Sequence, residues 1–285
     1  MGRSVEADPG GRIVRCLHLL SLAAAQPDPR ARLNLVREYL HAHILRSAQE
    51  AGAFAALAFQ GGTALRLLHG LRRFSEDLGF ALERPRHDRG LEHLAKAVKR
   101  DFELSGYGVE ATLRTARAVQ SAEVKFPGLL REASLASERS AKLTIRIEVD
   151  IRPPAGAIVE TRLITRHFPI SFRVHDLGSC MAGKIYALLS RRYTKGRDLF
   201  DLSWYLTRPD RPSPNLDLLR NALEQTGWKG PEVEPGTWRE ILRDRVTSLD
   251  WRAVLRDVEP FLEDPRDRRL LDKERLLAEL RRERS

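Results

Sequence analysis

The sequence predicts an α+β fold: a mixed sheet with flanking helices over residues 1–174, followed by a helical domain over 175–285. Three observations carry that expectation. Lys142 to Arg152 alternates without a break, with Leu143, Ile145, Ile147, Val149 and Ile151 on one face and Lys142, Thr144, Arg146, Glu148, Asp150 and Arg152 on the other, as a half-buried strand requires. Phe59 to Phe80 reads as a strand, a Gly61-Gly62-Thr63 turn, a short helix and a second strand carrying Asp77. Beyond about residue 175 the apolar spacing turns helical.

The elements follow in chain order. Arg12 to Ala25 places arginines before a short apolar run, but His18 interrupts the run and Pro27 and Pro29 follow it, so a helix capping the first domain is expected, not a secretion signal or a membrane span. Ala31 to Ala51 carries Leu33, Val36, Leu40 and Ile44 on one helical face. Phe54 to Phe59 is short and apolar, as in a buried strand entering a turn. Glu92 to Leu104 forms an amphipathic helix around Leu94, Val98 and Phe102, and Glu110 to Phe126 has strand-like patterning. Pro153 and Pro154 end the long alternating strand. Ser179 to Arg192 reads as a helix, broken at Lys195-Gly196 before a second helix from Arg197 to Leu206. Pro209, Pro212 and Pro214 mark a loop, Gly227 to Gly236 is irregular, and the tail from Pro265 reads as one amphipathic helix carrying Leu270, Leu271, Leu276, Leu277 and Leu280.

Composition narrows the function classes. The chain is 42% hydrophobic and 31% charged, that of a globular protein and not of a disordered one. Its formal charge of +10 suits either plain solubility or a polyanionic partner such as nucleic acid or nucleotide. Cys16 and Cys180 are the only cysteines, which excludes a disulfide framework and makes a reducing cytoplasm the expected location. The eight histidines show no ligand spacing, and no Ser-His-Asp or Cys-His arrangement stands out.

The chemistry concentrates at the Gly-Gly turn. Two glycines bring backbone N–H groups to the start of a helix, a natural seat for phosphate. Asp77 on the neighbouring strand would be costly to bury alone, so a divalent cation or an arginine is expected beside it. Gly79 stands where a second carboxylate would share the face of Asp77, while Glu76 points the other way. Glu148 and Asp150 share the polar face of the alternating strand, lining a cleft or pairing with Arg146 and Arg152.

At these residues the chain resembles the AbiEii/AbiGii family of toxin nucleotidyltransferases, in the DNA polymerase β-like superfamily. The family pattern has Gly-Gly-Thr, then Arg-x-Ser-x-Asp-Leu-Asp-Phe, a Lys/Arg-x-Asp/Glu strand, and Lys-x-x-Ala-Leu followed by Arg-Asp-x-x-Asp. Here Gly61-Gly62-Thr63, Arg73-Phe74-Ser75-Glu76-Asp77, Arg146-Ile147-Glu148, Lys184 to Leu188 and Arg197 to Asp201 match in order, spanning about Ala31 to Leu206. The resemblance implies a polymerase β-like nucleotidyltransferase domain that transfers a nucleoside monophosphate from an NTP to an acceptor, with Mg²⁺ or Mn²⁺. It further implies RNA, tRNA above all, as acceptor, and a cognate antitoxin as partner. Carried onto this chain, Gly61, Gly62, Thr63 and Ser75 would hold the triphosphate. Asp77 and Glu148 would hold the metal, Glu148 also polarising the attacking hydroxyl. Lys184 would meet phosphoryl charge, and Asp198 would orient Lys184 or the acceptor; Asp201 reads as a structural acid. Gly79 replaces the second aspartate of the pattern, which leaves a catalytically impaired homologue, binding nucleotide, RNA or antitoxin, as the alternative, with Asp150 as a substitute ligand.

Overall fold

The computed structural model describes residues 18–83, 90–138, 140–191, 193–210 and 212–282. Residues 18–24 are helical; the rest of the expected first helix, with Cys16, lies outside the described residues. The long helix α1 spans Pro29–Glu50 and starts where Asp28 accepts a hydrogen bond from the Ala31 N–H. Pro29 fits at its first position because that N–H has no helical partner anyway.

The sheet has seven strands: β1 (Leu57–Gln60), β2 (Asp77–Leu82), β3 (Glu110–Arg114), β4 (Val119–Pro127), β5 (Lys142–Asp150), β6 (Val159–Ile164) and β7 (Ile170–His175). Their order across the sheet is β3-β4-β5-β2-β1-β7-β6. The pairs β2–β5 and β1–β7 are parallel, and the others antiparallel. Helix α2 (Gly62–His69) links β1 to β2, α3 (Leu91–Leu104) packs on α1 and β4, and a single turn, α4 (Leu129–Glu132), precedes β5. Phe59, Leu78, Phe80, Ile145, Ile147, Val149, Phe172 and Val174 form the buried face of the sheet and share one core with Leu40 and Ile44 of α1 and Phe102 of α3. The β6–β7 hairpin escapes a sequence reading because β6 is an edge strand whose middle residues are exposed, with no alternating apolar face to betray it.

From Leu177 onward the chain is helical: α5 (Leu177–Ser190), α6 (Gly196–Thr207), α7 (Leu216–Gln225), α8 (Trp238–Thr247), α9 (Trp251–Val258) and α10 (Lys273–Arg281). Helix α5 starts two residues before the expected Ser179, because Asp176 caps it through the Ser179 N–H at 2.7 Å, and it ends at Ser190. These helices build a second core around Met181, Ile185, Leu199, Leu202, Tyr205, Leu219 and Leu242, into which Leu65 of α2 and Leu71 also insert. The tail is not the single helix expected from Pro265. A 3₁₀ turn over Pro265–Leu270 gives way to α10 because Asp272 caps a fresh helix at the Arg275 N–H. No described helix is long and apolar enough to cross a membrane.

The segment after α9 doubles back on the loop before β2. Phe74 N–H donates to Phe261 O at 2.7 Å, Glu263 N–H to Arg72 O at 3.3 Å, and Arg73 bridges Leu262 in antiparallel fashion. Asn34 of α1 donates to Pro260 O at 3.0 Å, so this clasp touches both halves of the molecule.

Candidate active site

Where β1, β2 and β5 meet the start of α6, a cleft of about 150 Å³ opens on the polar face of the sheet. Register explains which side chains face it. In the parallel β2–β5 pair, Asp77 lies beside Arg146, Gly79 beside Glu148 and Ala81 beside Asp150, so every second residue of both strands shares one face. Gly61, Gly62, Ser75, Asp77 and Glu148 line the cleft from the sheet side, with Lys184 of α5 and Asp198 of α6 opposite. Asp150 lines an adjoining pocket instead, its Oδ1 accepting from the Arg152 N–H at 2.9 Å, so it does not join Asp77 in the role of the missing carboxylate.

The glycines have different reasons to be glycines. Gly61 has φ +87°, which L side chains rarely adopt, and it leaves the first turn of α2 without a side-chain cap. A Cβ on Gly62 would lie 2.6 Å from Nη2 of Arg73, so this position is small to admit a buried guanidinium. Thr63 is buried outside the cleft lining; its hydroxyl donates to the Asp77 carbonyl at 2.6 Å and fixes where β2 begins. Ser75 does line the cleft.

Asp77 and Glu148 are electrostatically strained. Burial first, then the neighbouring Glu76, raises the pKa of Asp77. Burial first, then Asp77 itself, raises that of Glu148, with Arg146 and Lys195 opposing both shifts. Two half-buried carboxylates that disfavour each other are relieved by a shared cation. Among the described residues no group of three His, Cys, Asp or Glu is arranged to hold a metal, since position 79 offers no carboxylate. Two carboxylates still suit one Mg²⁺ that completes its shell with phosphate oxygens and water.

The helical wall is a chain of ion pairs. Arg73 donates from Nε to Oδ1 of Asp201 at 2.6 Å and from Nη2 to Oδ2 at 2.5 Å. Lys184 Nζ sits 2.8 Å from Asp201 and 3.0 Å from Asp198, and Arg191 also pairs with Asp198. Burial opposes the charge of Lys184, but Asp201 and Asp198 outweigh it and raise its pKa. Burial likewise opposes the charge of Asp198, but Lys184 and Arg191 outweigh it and lower its pKa. Arg197 reaches Glu76 at 2.8 Å and stacks over Phe261. The sequence reading placed Lys184 and Asp198 together correctly and missed that Asp201 anchors Arg73. The signal was available: acids at positions i and i+3 of a helix share a face, and both therefore meet Lys184. The cations Arg191, Lys195 and Arg197, which also line the cleft, were missed as well.

Beyond Gly79 the cleft joins a pocket of about 290 Å³ that shares Gln60, Gly79, Glu148 and Arg191 and is walled by Pro153, Pro154, Tyr186 and Leu218. Cys180 is buried close by, its thiol pKa pushed up to about 12 by burial, so it is no nucleophile.

The crystal structure of JHP933 from Helicobacter pylori is 22% identical, with 87% of this chain and 88% of that chain covered and a TM-score of 0.52, a likeness of fold. MenT4, a nucleotidyltransferase toxin from Mycobacterium tuberculosis H37Rv, is 19% identical over 94% of this chain and 99% of that one, with a TM-score of 0.46. Among curated proteins, none matches. The family described as nucleotidyl transferase AbiEii toxin, type IV TA system, matches residues 43–273. The β1–α2 turn, the β2 and β5 acids and the ion-paired wall all fall within that span, and the chain belongs to the AbiEii family of nucleotidyl transferase toxins.

Proposed function

We propose that this chain transfers a nucleoside monophosphate from an NTP to an RNA acceptor, with tRNA as the acceptor class, and that a cognate antitoxin restrains it. The observation that carries the reading is the Asp77–Glu148 pair, two mutually repelling carboxylates facing the uncapped start of α2. The N–H groups around Gly62 and the Ser75 hydroxyl receive the triphosphate, since backbone donors at a helix start suit an anion. Asp77 and Glu148 would hold Mg²⁺ or Mn²⁺, which when bound neutralises phosphate charge and favours in-line displacement. The nucleoside occupies the adjoining pocket, its base against Tyr186 and Pro154. The acceptor hydroxyl oxygen bonds to the α-phosphorus, its proton passing to Glu148, which faces the same cleft. The bond to the β-phosphate breaks, and pyrophosphate leaves with that electron pair. Lys184, spent on Asp198 and Asp201, holds Asp198 at the cleft wall. We further propose a domain boundary near residue 174, where the first core gives way to the second, with the cleft lined from both sides of it. Nucleotides and RNA as substrates put the protein's work in the cytoplasm.

A second reading, a nucleotide- or RNA-binding homologue without chemistry, is favoured by Gly79 alone. One assay separates the two. The protein and its Gly79→Asp variant are each incubated with labelled NTPs, Mg²⁺ or Mn²⁺ and total tRNA. Labelling by the native chain supports the enzyme; labelling by the variant alone supports the binding homologue; labelling by neither removes the proposed activity.

A further inference from the structure

We propose that Lys195 is the side chain that meets the terminal phosphates of the nucleotide, in the place sequence reasoning gave to Lys184. This rests on the nucleotidyl-transfer reading for its ligand but not for its test.

Five cationic side chains line the cleft: Arg73, Lys184, Arg191, Lys195 and Arg197. Four are committed to carboxylates. Arg73 is held by Asp201, Lys184 by Asp198 and Asp201, Arg191 by Asp198, and Arg197 by Glu76. Lys184 is also only 13% exposed, and its ammonium is held between two aspartates, at 3.0 Å from Asp198 and 2.8 Å from Asp201. Lys195 forms no ion pair with any described residue. Its charge nevertheless reaches both Asp77 and Glu148, partly countering the rise that burial imposes on each.

The backbone holds this lysine in place. Lys195 is the N-cap residue of α6, with φ −83° and ψ 126°, and its carbonyl accepts from the Asp198 N–H at 3.0 Å. The next residue, Gly196, is pressed on α9 so closely that a Cβ would collide with the Val254 carbonyl oxygen. That contact accounts for the glycine and sets the lysine at a fixed point on the cleft rim. Its half-buried, four-carbon stem leaves the ammonium free to follow a phosphate, which a forked guanidinium does less readily. Charge balance points the same way. Two carboxylates offset one divalent ion, so the triphosphate's own charge falls to the protein, and Lys195 is the uncommitted cation within reach.

The test is binding of inorganic tripolyphosphate, followed by calorimetry in EDTA so that no metal contributes. Proteins compared are the native chain, Lys195→Gln, Lys195→Arg and, as a remote control, Arg269→Gln. Lys195→Gln is expected to weaken binding about tenfold or more, the loss of one charge-assisted contact, with an unchanged melting temperature. Lys195→Arg restores most of the affinity, and Arg269→Gln matches the native chain. Native-like binding by Lys195→Gln, or no binding by the native chain, overturns the proposal. Lys195-dependent binding by a chain that labels no acceptor with any NTP upholds the proposal and overturns nucleotidyl transfer instead.

Discussion

Arg73 and Asp201 are 128 residues apart and meet in a two-pronged hydrogen bond, with side chains 2% and 0% exposed. The pair ties the loop that leads into Asp77 to the helix that carries Asp198, so the two walls of the cleft are fixed relative to each other. Asp201→Asn removes the counter-charge of Arg73 and half that of Lys184. It should cost about 3–5 kcal/mol of stability, as breaking a buried pair from one side does. Urea denaturation checks this, and a loss below about 1 kcal/mol would show the pair to be incidental.

The two turn glycines should fail differently. Gly61→Ala meets open space but must hold φ +87°, costing about 1–2 kcal/mol, additive with changes elsewhere. Gly62→Ala pushes on the Arg73 guanidinium and should cost about 1–3 kcal/mol. Only the second should couple to Asp201→Asn in a double-mutant cycle, because only it shares Arg73.

Gly79→Asp should fold without difficulty. A Cβ there would lie 3.4 Å from the Gln60 carbonyl oxygen and 3.9 Å from its Cγ, ordinary contact distances. The added carboxylate joins Asp77 and Glu148 on one face, so Mn²⁺ affinity measured by titration should rise about tenfold or more, at a stability cost within about 1 kcal/mol. Unchanged affinity would mean that these acids do not form the ion site. Asp77→Ala, conversely, should abolish both Mn²⁺ binding and label transfer.

How much of this was legible beforehand depended on periodicity. β5 announced itself because every second residue is apolar, and the same alternation put Glu148 on the polar face. The turn at Gly61 was legible because glycine tolerates that backbone conformation. The job of Thr63 was not, since nothing local says that its hydroxyl is spent on Asp77. The partners of Arg73 and Arg197 were hard to read from pattern because their acids, Asp201 and Glu76, lie 128 and 121 residues away, and the cleft positions of Arg191 and Lys195 follow from packing and carry no periodic signal. Sequence marked Lys184 as the working cation; its two aspartates show it to be committed, and Lys195, which carries no motif, stands uncommitted.

Glu38 gives a pH signature. It is buried on α1, and burial alone would raise its pKa, but His167, Arg66 and Arg166 outweigh burial and lower it from 4.5 to about 2. A lowered carboxyl contributes its full stabilisation above pH 4.5 and loses it as pH falls toward about 2. The stability gap between the native chain and Glu38→Gln should therefore be constant at neutral pH and narrow across that window. A gap that stayed flat down to pH 2 would contradict the ion-pair assignment.

The clasp of Phe261 and Glu263 on the loop at Arg72 and Phe74 imposes an order on synthesis. While the ribosome still holds the last third of the chain, Arg73 has no Asp201 and its loop has no clasp, although Gly61, Asp77 and Glu148 have long since emerged. A chain cut before Glu259 should accordingly label no acceptor, even though it contains every residue that lines the cleft. The order in which these segments emerge thus sets the order in which the cleft is completed: Asp77 and Glu148 first, Asp201 next and the clasp last.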